Sequence, residues 1–339
     1  MLESAADAAL SDLRAAAGAD LLPGVVGHAL LSARAAELGR WPAGHTSANG
    51  SCRLLRAADG WFALNLARDE DAALLPAWLG ERDVVAAAAA LAPRVASRPV
   101  RELVDRGRVL GLPIAAVGEV GSMAHAWRRA NPSNAARPSE TPRVVDLSSL
   151  WAGPLCGLIL ARSGAHVVKV ESVDRPDAAR DATPNHFAAL NACKTHVALA
   201  FRSAAGMREL SALVDAADVV IENARPRALL QLGIDAESLL RARPGKVWVS
   251  ITGYGRASPQ RDWVAFGDDA AAAAGAVDWT PDGPAFCWDA VADPLTGLNA
   301  GLAALTCLRN GLGGLVELSL AGVAAYCLND RARKLRVRA

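Results

Sequence analysis

The chain has 339 residues, of which 52% are hydrophobic and 21% charged, so it can bury a large core and lacks the composition of a disordered protein. At roughly 150 residues per domain, its length predicts about two domains. Lys and Arg number 36 and Asp and Glu number 35, which gives a net charge of +1. This balance argues against a protein that binds nucleic acid or another polyanion.

The sequence predicts neither a membrane-spanning helix nor a signal peptide. The most apolar stretches, 270–277 and 298–308, are shorter than the roughly 20 apolar residues that cross a bilayer. The N-terminus carries acids where a signal peptide carries bases. The six cysteines are widely spaced, with no Cys-x-x-Cys pair, as expected for reduced thiols in a cytoplasmic protein.

Residues 1–120 mix helical and extended patterns, which predicts a small α+β domain. Residues 52–66 form a hairpin pattern around a turn at 58–60. Helical patterns follow at 74–79, 84–91 and 100–110, before an extended segment at 111–117. Residues 121–141 are aperiodic and rich in Pro, Ser, Asn and Arg, which predicts a linker.

Residues 142–339 alternate short apolar runs with helical patterns. Strand patterns at 143–148 and 166–171 flank a helical pattern at 155–163, which predicts a βαβ unit with parallel strands. The alternation continues with strands at 197–199, 219–222 and 247–252 and helices at 204–215 and 236–242. This order predicts an α/β fold, an open and mostly parallel sheet with helices on both faces.

Three common site signatures are missing from the sequence. The first strand-to-helix turn, 148–154, lacks the G-x-G-x-x-G glycines that bind a dinucleotide. The six histidines show no metal-ligand spacing, so no metal site is predicted. The chain has no G-x-S-x-G elbow, which weakens an interpretation as a serine hydrolase.

The remaining candidates for chemistry are carboxylates. Asp293 precedes Pro294 and a small-residue helix pattern at 295–308. At such a place an Asp is either the N-cap of the helix or a nucleophile that is ionised at pH 7. The spacing alone favours the N-cap. Asp268 and Asp269 form a second acidic segment.

An ordered series of short motifs resembles the family III CoA-transferases (the CaiB/BaiF family), whose relatives include the α-methylacyl-CoA racemases. The motifs are VDLS at 145–148, AGP at 152–154, LARSGAHVVKVE at 160–171, NACK at 191–194, ADVVIEN at 217–223, VSITGYG at 249–255 and VADPLTG at 291–297. The resemblance implies a Rossmann-like core at 142–339 that binds CoA and carries the chemistry.

The segments 53–66 and 110–117 are similar to the small domain of the same family. That domain follows the core in other members and precedes it here, so the order resembles a permutation. Family members form interlocked dimers, and the resemblance therefore implies a homodimer.

The resemblance also implies a reaction. In the transferases an Asp attacks an acyl-CoA thioester, and CoA passes to a carboxylic acid through an aspartyl intermediate. The motif carries this role to Asp293, with CoA as substrate and product and no permanently bound cofactor. Asp268 and Asp269 are either assisting acids, as in some transferases, or solvated loop acids.

The resemblance assigns CoA binding to the loop Leu150, Trp151, Ala152 and Gly153 and to a turn with Asn223 and Arg225. Trp151 implies a bulky wall beside the acyl group. Lys169 and Arg202 are either contacts to the CoA phosphates or surface charges.

Two alternatives remain open. An α-methylacyl-CoA racemase uses a His before the Asp of a Gly-His-Asp stretch, and this chain has Gly267, Asp268 and Asp269 instead. The missing His counts against two-base proton transfer. A non-catalytic acyl-CoA-binding subunit is the other alternative, since the family's glycine-rich lid over the active-site Asp is not recognisable.

Overall fold

The computed structural model describes residues 1–82, 84–134 and 141–329. It begins with two helices, α1 (Leu2–Ala17) and α2 (Gly27–Leu38). An antiparallel sheet follows, made of β1 (Cys52–Arg56), β2 (Trp61–Asn65) and β3 (Ile114–Ala116). The helices between β2 and β3 are α3 (Asp69–Ala73), α4 (Leu75–Leu79), α5 (Ala88–Val95) and α6 (Val100–Leu110).

The larger sheet is built from strands between residues 128 and 319. Its strands are β4 (Arg128–Asn134), β5 (Arg143–Asp146), β6 (His166–Ser172), β7 (Thr195–Leu199), β8 (Val219–Glu222), β9 (Val247–Thr252) and β12 (Leu312–Ser319). Strands β10 (Asp278–Thr280) and β11 (Gly283–Ala285) form a separate hairpin. The order is β4-β12-β9-β8-β5-β6-β7. Among the described strands of this sheet, only the β4–β12 pair is antiparallel. The predicted α/β fold with a mostly parallel sheet is confirmed.

Helices cover both faces of this sheet. The helices that follow β5 in the chain are α7 (Ala152–Arg162), α8 (Ala179–Ala182), α9 (Pro184–Asn191), α10 (Ala204–Ala216), α11 (Pro226–Gln231), α12 (Ala236–Ala242), α13 (Gly267–Ala273), α14 (Ala292–Arg309) and α15 (Leu320–Leu328), with a 3₁₀ turn at Gln260–Asp262. Val219 and Ile221 of β8 pack in the core that contains α7 and α14. Val220 between them packs in the core that contains α10 and α12. Because successive strand residues face opposite sides, apolar strands of this kind are buried on both faces.

Small residues bring α14 close to α7. A Cβ added to Gly297 would lie 2.8 Å from Leu155, and one added to Gly301 would lie 2.6 Å from Ile159. Both distances are too short for a real contact, so these glycines set the helix spacing. The close packing fixes the start of α14 relative to the loop that precedes α7.

The segment predicted as a linker contains a strand. Within 121–141, β4 pairs with β12, where Arg128 lies opposite Glu317. The linker prediction is wrong for these residues, while 135–140 lie outside the described residues. An edge strand tolerates polar and half-exposed side chains, so β4 has no apolar alternation that the sequence analysis could detect.

The N-terminal helices pack with the larger core. Leu10 and Leu13 of α1 and Leu31 of α2 share one buried cluster with α7 and α14. The small sheet has a separate core around Phe62 and Trp78. Cys52, Leu54 and Ala63 pack in a third cluster with Ala272 and Phe286. The region 1–120, predicted as one small domain, therefore contributes to three buried clusters. Across the described residues, no helix has the length and apolarity needed to cross a bilayer.

Candidate active site

A cavity of about 200 Å³ lies where α2, the end of β2 and the starts of α7, α13 and α14 meet. Asp268 and Asp293 line it, together with Arg34, Trp151 and His186. Two cavity residues, Leu150 and Ala290, have positive φ angles of 70° and 44°. Non-glycine residues in this region of φ are strained, and such strain is concentrated at functional sites.

Asp293 lies in the first turn of α14. The helix begins at Ala292 and its N-cap is Val291, so the N-cap interpretation of Asp293 is wrong. The half-buried carboxylate accepts a hydrogen bond from the backbone N–H of Gly267. A Cβ on Gly267 would lie 2.3 Å from Asp293 Oδ2, so only glycine permits this approach.

Burial raises the pKa of Asp293 to about 7. Arg34 opposes this rise, whereas the negative charges of Asp268 and Asp289 add to it. Asp293 therefore titrates near neutral pH and is present both as a carboxylate and as an acid.

Asp268 and Asp269 are buried in the first turn of α13, so their interpretation as solvated loop acids is wrong. Asp268 Oδ1 accepts the N–H of Ala290 at 2.8 Å, and burial raises its pKa to about 6. Asp269 Oδ1 accepts from Asn65 Nδ2 at 2.9 Å and from the Phe266 N–H at 3.0 Å. Burial raises its pKa to about 7.

Arg34 projects from α2 into the same cluster. Its Nε lies 2.9 Å from Asp289 Oδ2, and its Nη2 lies 2.5 Å from Asp289 Oδ1. Nη2 is 3.9 Å from Asp268 Oδ2. The guanidinium carbon is 5.5 Å from the centre of the Trp151 ring. Sequence reasoning missed Arg34 and Asp289, because neither lies in a recognisable motif element and they are 255 residues apart.

Only part of the loop predicted to bind CoA lines the cavity. Leu150 and Trp151 line the cavity, whereas Ala152 and Gly153 are buried in the first turn of α7 outside its lining. His186 packs edge-on to Trp151 with ring centres 4.5 Å apart. Burial lowers the pKa of His186 to about 4, so this ring is neutral at pH 7.

Lys169 is fully buried, so it is neither a surface charge nor a contact for a phosphate. Its Nζ donates to the carbonyl of Ser148 at 2.7 Å and to Asp177 Oδ2 at 3.1 Å. Asp177 in turn accepts the N–H of Leu150 at 3.1 Å. Lys169 therefore holds the strained Leu150 loop in place.

Two further predicted contacts have local partners. The side-chain amide of Asn223 donates to the carbonyl of Ser149 at 2.7 Å and accepts from its N–H at 3.0 Å, which fixes the loop. Arg202 has a side chain that is 89% exposed and lies 3.7 Å from Asp174. It is outside the cavity lining.

Arg225 lies in a group of cations. Burial lowers its pKa, and Arg227, Arg68 and Arg175 lower it further, so the positive charges of all four residues are close together. Arg175 and Arg227 are exposed. Their backbones follow β6 and β8, at the carboxyl edge of the sheet, where open α/β sheets bind ligands.

Residues 140–335 match CoA-transferase family III, which is more than half of the chain. The chain belongs to this family. Solved structures agree with the assignment. A CaiB/BaiF family protein from Brucella suis has 30% identity and a TM-score of 0.53, over 60% of this chain and 58% of that one. A hypothetical protein from Mycobacterium tuberculosis has 30% identity and a TM-score of 0.52, over 60% of each chain.

Curated relatives are named for CoA transfer. An acyl-CoA transferase of Fusarium pseudograminearum is 33% identical over 52% of this chain and 44% of its own length. A succinyl-CoA–D-citramalate CoA-transferase of Chloroflexus aurantiacus is 31% identical, over 54% and 49%. A succinate–glutarate CoA-transferase of Agrobacterium fabrum is 32% identical, over 56% and 52%. The chain thus matches about half the length of these relatives.

Proposed function

We propose that this chain transfers CoA from an acyl-CoA thioester to a carboxylic acid, with Asp293 as the nucleophile. The observation that carries the proposal is the position of Asp293 at the start of α14, lining a cavity and touching the N–H of Gly267. A carboxylate that titrates near pH 7 is available as a nucleophile in neutral solution.

The chemistry proceeds in two exchanges. The Asp293 carboxylate attacks the thioester carbonyl, the C–S bond breaks, and CoA leaves as a thiolate while a mixed anhydride forms. The thiolate then attacks the Asp293 carbonyl, and the anhydride C–O bond breaks to release the donor acid as a carboxylate. In the second exchange the acceptor carboxylate attacks the Asp293 carbonyl, the C–S bond breaks, and CoA leaves as a thiolate while a new mixed anhydride forms. The thiolate then attacks the acceptor carbonyl, and the anhydride C–O bond breaks to return free Asp293 and a new acyl-CoA.

A backbone donor supports each tetrahedral intermediate. The N–H of Gly267 already contacts the carboxylate of Asp293, so it lies beside the oxygen on which charge develops. Donors that are fixed before the reaction stabilise a developing oxyanion without a reorganisation cost.

The arginine cluster is the proposed site for the phosphates of CoA. Arg68 follows Ala67, and Arg175 precedes Ala178 by three positions, and both alanines line the cavity. Together with Arg225 and Arg227 they form a positive surface next to the pocket that holds Asp293. Guanidinium groups bind phosphates through charge-assisted hydrogen bonds.

Trapping of the intermediate tests the proposal. The chain is incubated with a panel of acyl-CoA esters, starting with succinyl-CoA, and quenched with hydroxylamine or borohydride. We expect the peptide that contains Asp293 to carry a hydroxamate or a reduced side chain in the mass spectrum. Asp293→Ala protein that folds and still transfers CoA at the normal rate would refute the assignment.

The same samples test the alternatives. Deuterium uptake at the acyl α-carbon without any acceptor acid would indicate a racemase, and tight acyl-CoA binding without turnover would indicate a binding subunit. As further parts of the proposal, the six free thiols support a cytoplasmic location, and the family resemblance supports a homodimer. Sedimentation of the purified chain measures the oligomeric state.

A further inference from the structure

The proposed transfer moves one negative charge within the cavity, from Asp293 to the small acid. When Asp293 carries CoA as a thioester, its side chain is neutral. At that moment the acid that is leaving or entering is a carboxylate, and it must be held against the Asp293 carbonyl. A carboxylate in a partly buried cavity needs a cation or several hydrogen-bond donors.

Arg34 is the cation available for this purpose. Among the described residues that line the cavity, it carries the only permanent positive charge, since His186 is neutral at pH 7. The side chain of Arg34 is 20% exposed, whereas that of its partner Asp289 is fully buried. Arg34 is therefore accessible from the cavity and Asp289 is not.

Asp289 orients the guanidinium and leaves part of it free. The Nε and Nη2 atoms of Arg34 bond to the two oxygens of Asp289. No hydrogen bond of Nη1 is found within the described part of the chain. The carbon of the same group lies over the Trp151 ring, 5.5 Å from its centre. Both contacts reduce the freedom that Arg34 would lose on binding a ligand.

We propose that Arg34 is a substrate-binding residue that holds the carboxylate of the exchanging acid while Asp293 carries CoA. This inference rests on the proposed function and adds to it the residue that recognises the small acid. In the resting enzyme the positive charge of Arg34 stabilises the carboxylate of Asp293 instead. The guanidinium of Arg34 thus faces the carboxylate of Asp293 in the resting enzyme and the carboxylate of the small acid while Asp293 carries CoA.

A structural role for Arg34 makes a different prediction. The Arg34–Asp289 pair also ties α2 to the loop before α14. Glu37 on the same helix ties α2 to α9, because its carboxylate accepts the N–H groups of Asn185 and His186 at 2.9 and 2.6 Å. Glu37 does not line the cavity. Glu37→Gln is therefore a matched control that loosens α2 without removing the cation.

The test compares wild type, Arg34→Met, Arg34→Lys and Glu37→Gln with succinyl-CoA as donor and glutarate as acceptor. We expect Arg34→Met to raise the KM for glutarate by about tenfold or more, since the variant removes a charge-assisted hydrogen bond to the acid. The KM for succinyl-CoA stays within about twofold, and CoA still becomes attached to Asp293.

The two other variants define the role further. Arg34→Lys keeps the charge and loses the planar donor group, so its KM for glutarate falls between those of wild type and Arg34→Met. Glu37→Gln keeps the wild-type KM. If Arg34→Met does not fold, as judged by circular dichroism, the KM of Arg34→Lys for glutarate alone tests the role of Arg34.

The outcomes separate the two proposals. A wild-type chain that neither transfers CoA nor acquires it on Asp293 overturns the proposed function, and the role of Arg34 falls with it. A wild-type chain that does both, together with an unchanged KM for glutarate in folded Arg34 variants, overturns only the role of Arg34. An equal rise in Glu37→Gln would show that Arg34 acts only through the packing of α2.

Discussion

Two groups of buried carboxylates in this chain differ in the number of cations that pair with them. Behind the Leu150 loop each carboxylate has its own lysine, with Asp146 at 2.7 Å from Lys194 and Asp177 at 3.1 Å from Lys169. Around the cavity, Asp268, Asp289 and Asp293 share Arg34.

This difference appears in the acidities. Burial alone would raise the pKa of Asp146, but Lys194 and Lys169 outweigh it and the pKa is lowered. Burial raises the pKa of Asp293 to about 7, and the neighbouring acids add to the effect because one guanidinium is shared among them. Buried charges that are paired one to one hold a scaffold in place, and an excess of one sign leaves groups that titrate at neutral pH.

The largest expected effect is the loss of CoA transfer when a carboxylate of the cavity group, Asp293, is replaced. Asp293→Asn removes the nucleophile, so we expect CoA transfer to fall by at least about 10³-fold. The melting temperature should stay the same or rise, because one acid leaves a crowded cluster. Rates of acyl-CoA consumption and thermal melts measure both. Asp146→Asn is the matched control, and we expect it to lower stability while transfer by the folded fraction persists.

The second prediction breaks a scaffold pair. Lys194→Met removes the lysine that bonds directly to the buried Asp146, and we expect the free energy of unfolding to fall by about 3–5 kcal/mol. Urea titration measures this loss. The double variant Lys194→Met with Asp146→Asn should lose less than Lys194→Met alone. A loss under about 1 kcal/mol in Lys194→Met would show that the pair does not hold the scaffold.

The third prediction concerns pH. Asp293 reacts as a carboxylate, and its pKa of about 7 means that kcat/KM for acyl-CoA falls about tenfold per unit below pH 7 and is level above it. The groups that face Asp293 are Arg34, Asp268 and Asp289. Asp268→Asn removes a neighbouring negative charge, so it should shift the midpoint to lower pH. A midpoint near pH 4 in the wild type would contradict the shared-cation description.

The smallest expected effect is on stability at Asp269. Burial raises the folded-state pKa to about 7, above the ordinary value of about 3.9. The folded state therefore holds this proton more tightly, and stability is lost as pH rises through 7. Asp269→Asn keeps an oxygen for Asn65 and Phe266. We expect it to add roughly 1–2 kcal/mol at pH 8 and less at pH 5.

Urea titrations of Asp269→Asn at both pH values measure this gain. Asp282→Asn, at an exposed position, is the matched control and should change stability by under about 0.5 kcal/mol at either pH. An equal gain at pH 5 and pH 8 would show that ionisation of Asp269 is not the cause.

Much of the core was predictable because its signals are local. Strands β8 and β9 and helix α12 have the predicted boundaries, since each is a short apolar run or helical repeat between clear turn residues. The strand β4 was missed because an edge strand needs no apolar face. The helix predicted at 84–91 lies at Ala88–Val95, since a run of alanines does not mark where a helix begins.

The candidate site was predictable only in part. The motif at 291–297 pointed to Asp293, and the acidic pair at 268–269 was visible as a pair. Whether these acids are solvated or buried depends on α13 packing beside the start of α14, which no local pattern records. The role of Lys169 was also hidden, because a lysine on a strand looks the same in sequence whether it faces solvent or a buried Asp177.

The sequence by itself determined the alternation of strands β5 to β9 with helices, the family, and the position of one candidate nucleophile, because periodicity and short motifs are properties of neighbouring residues. Only the tertiary structure decided which charges meet. Arg34 and Asp289 are 255 positions apart and form a direct ion pair, and a pKa is set by burial and by charges within a few ångströms in space, whatever their separation along the chain.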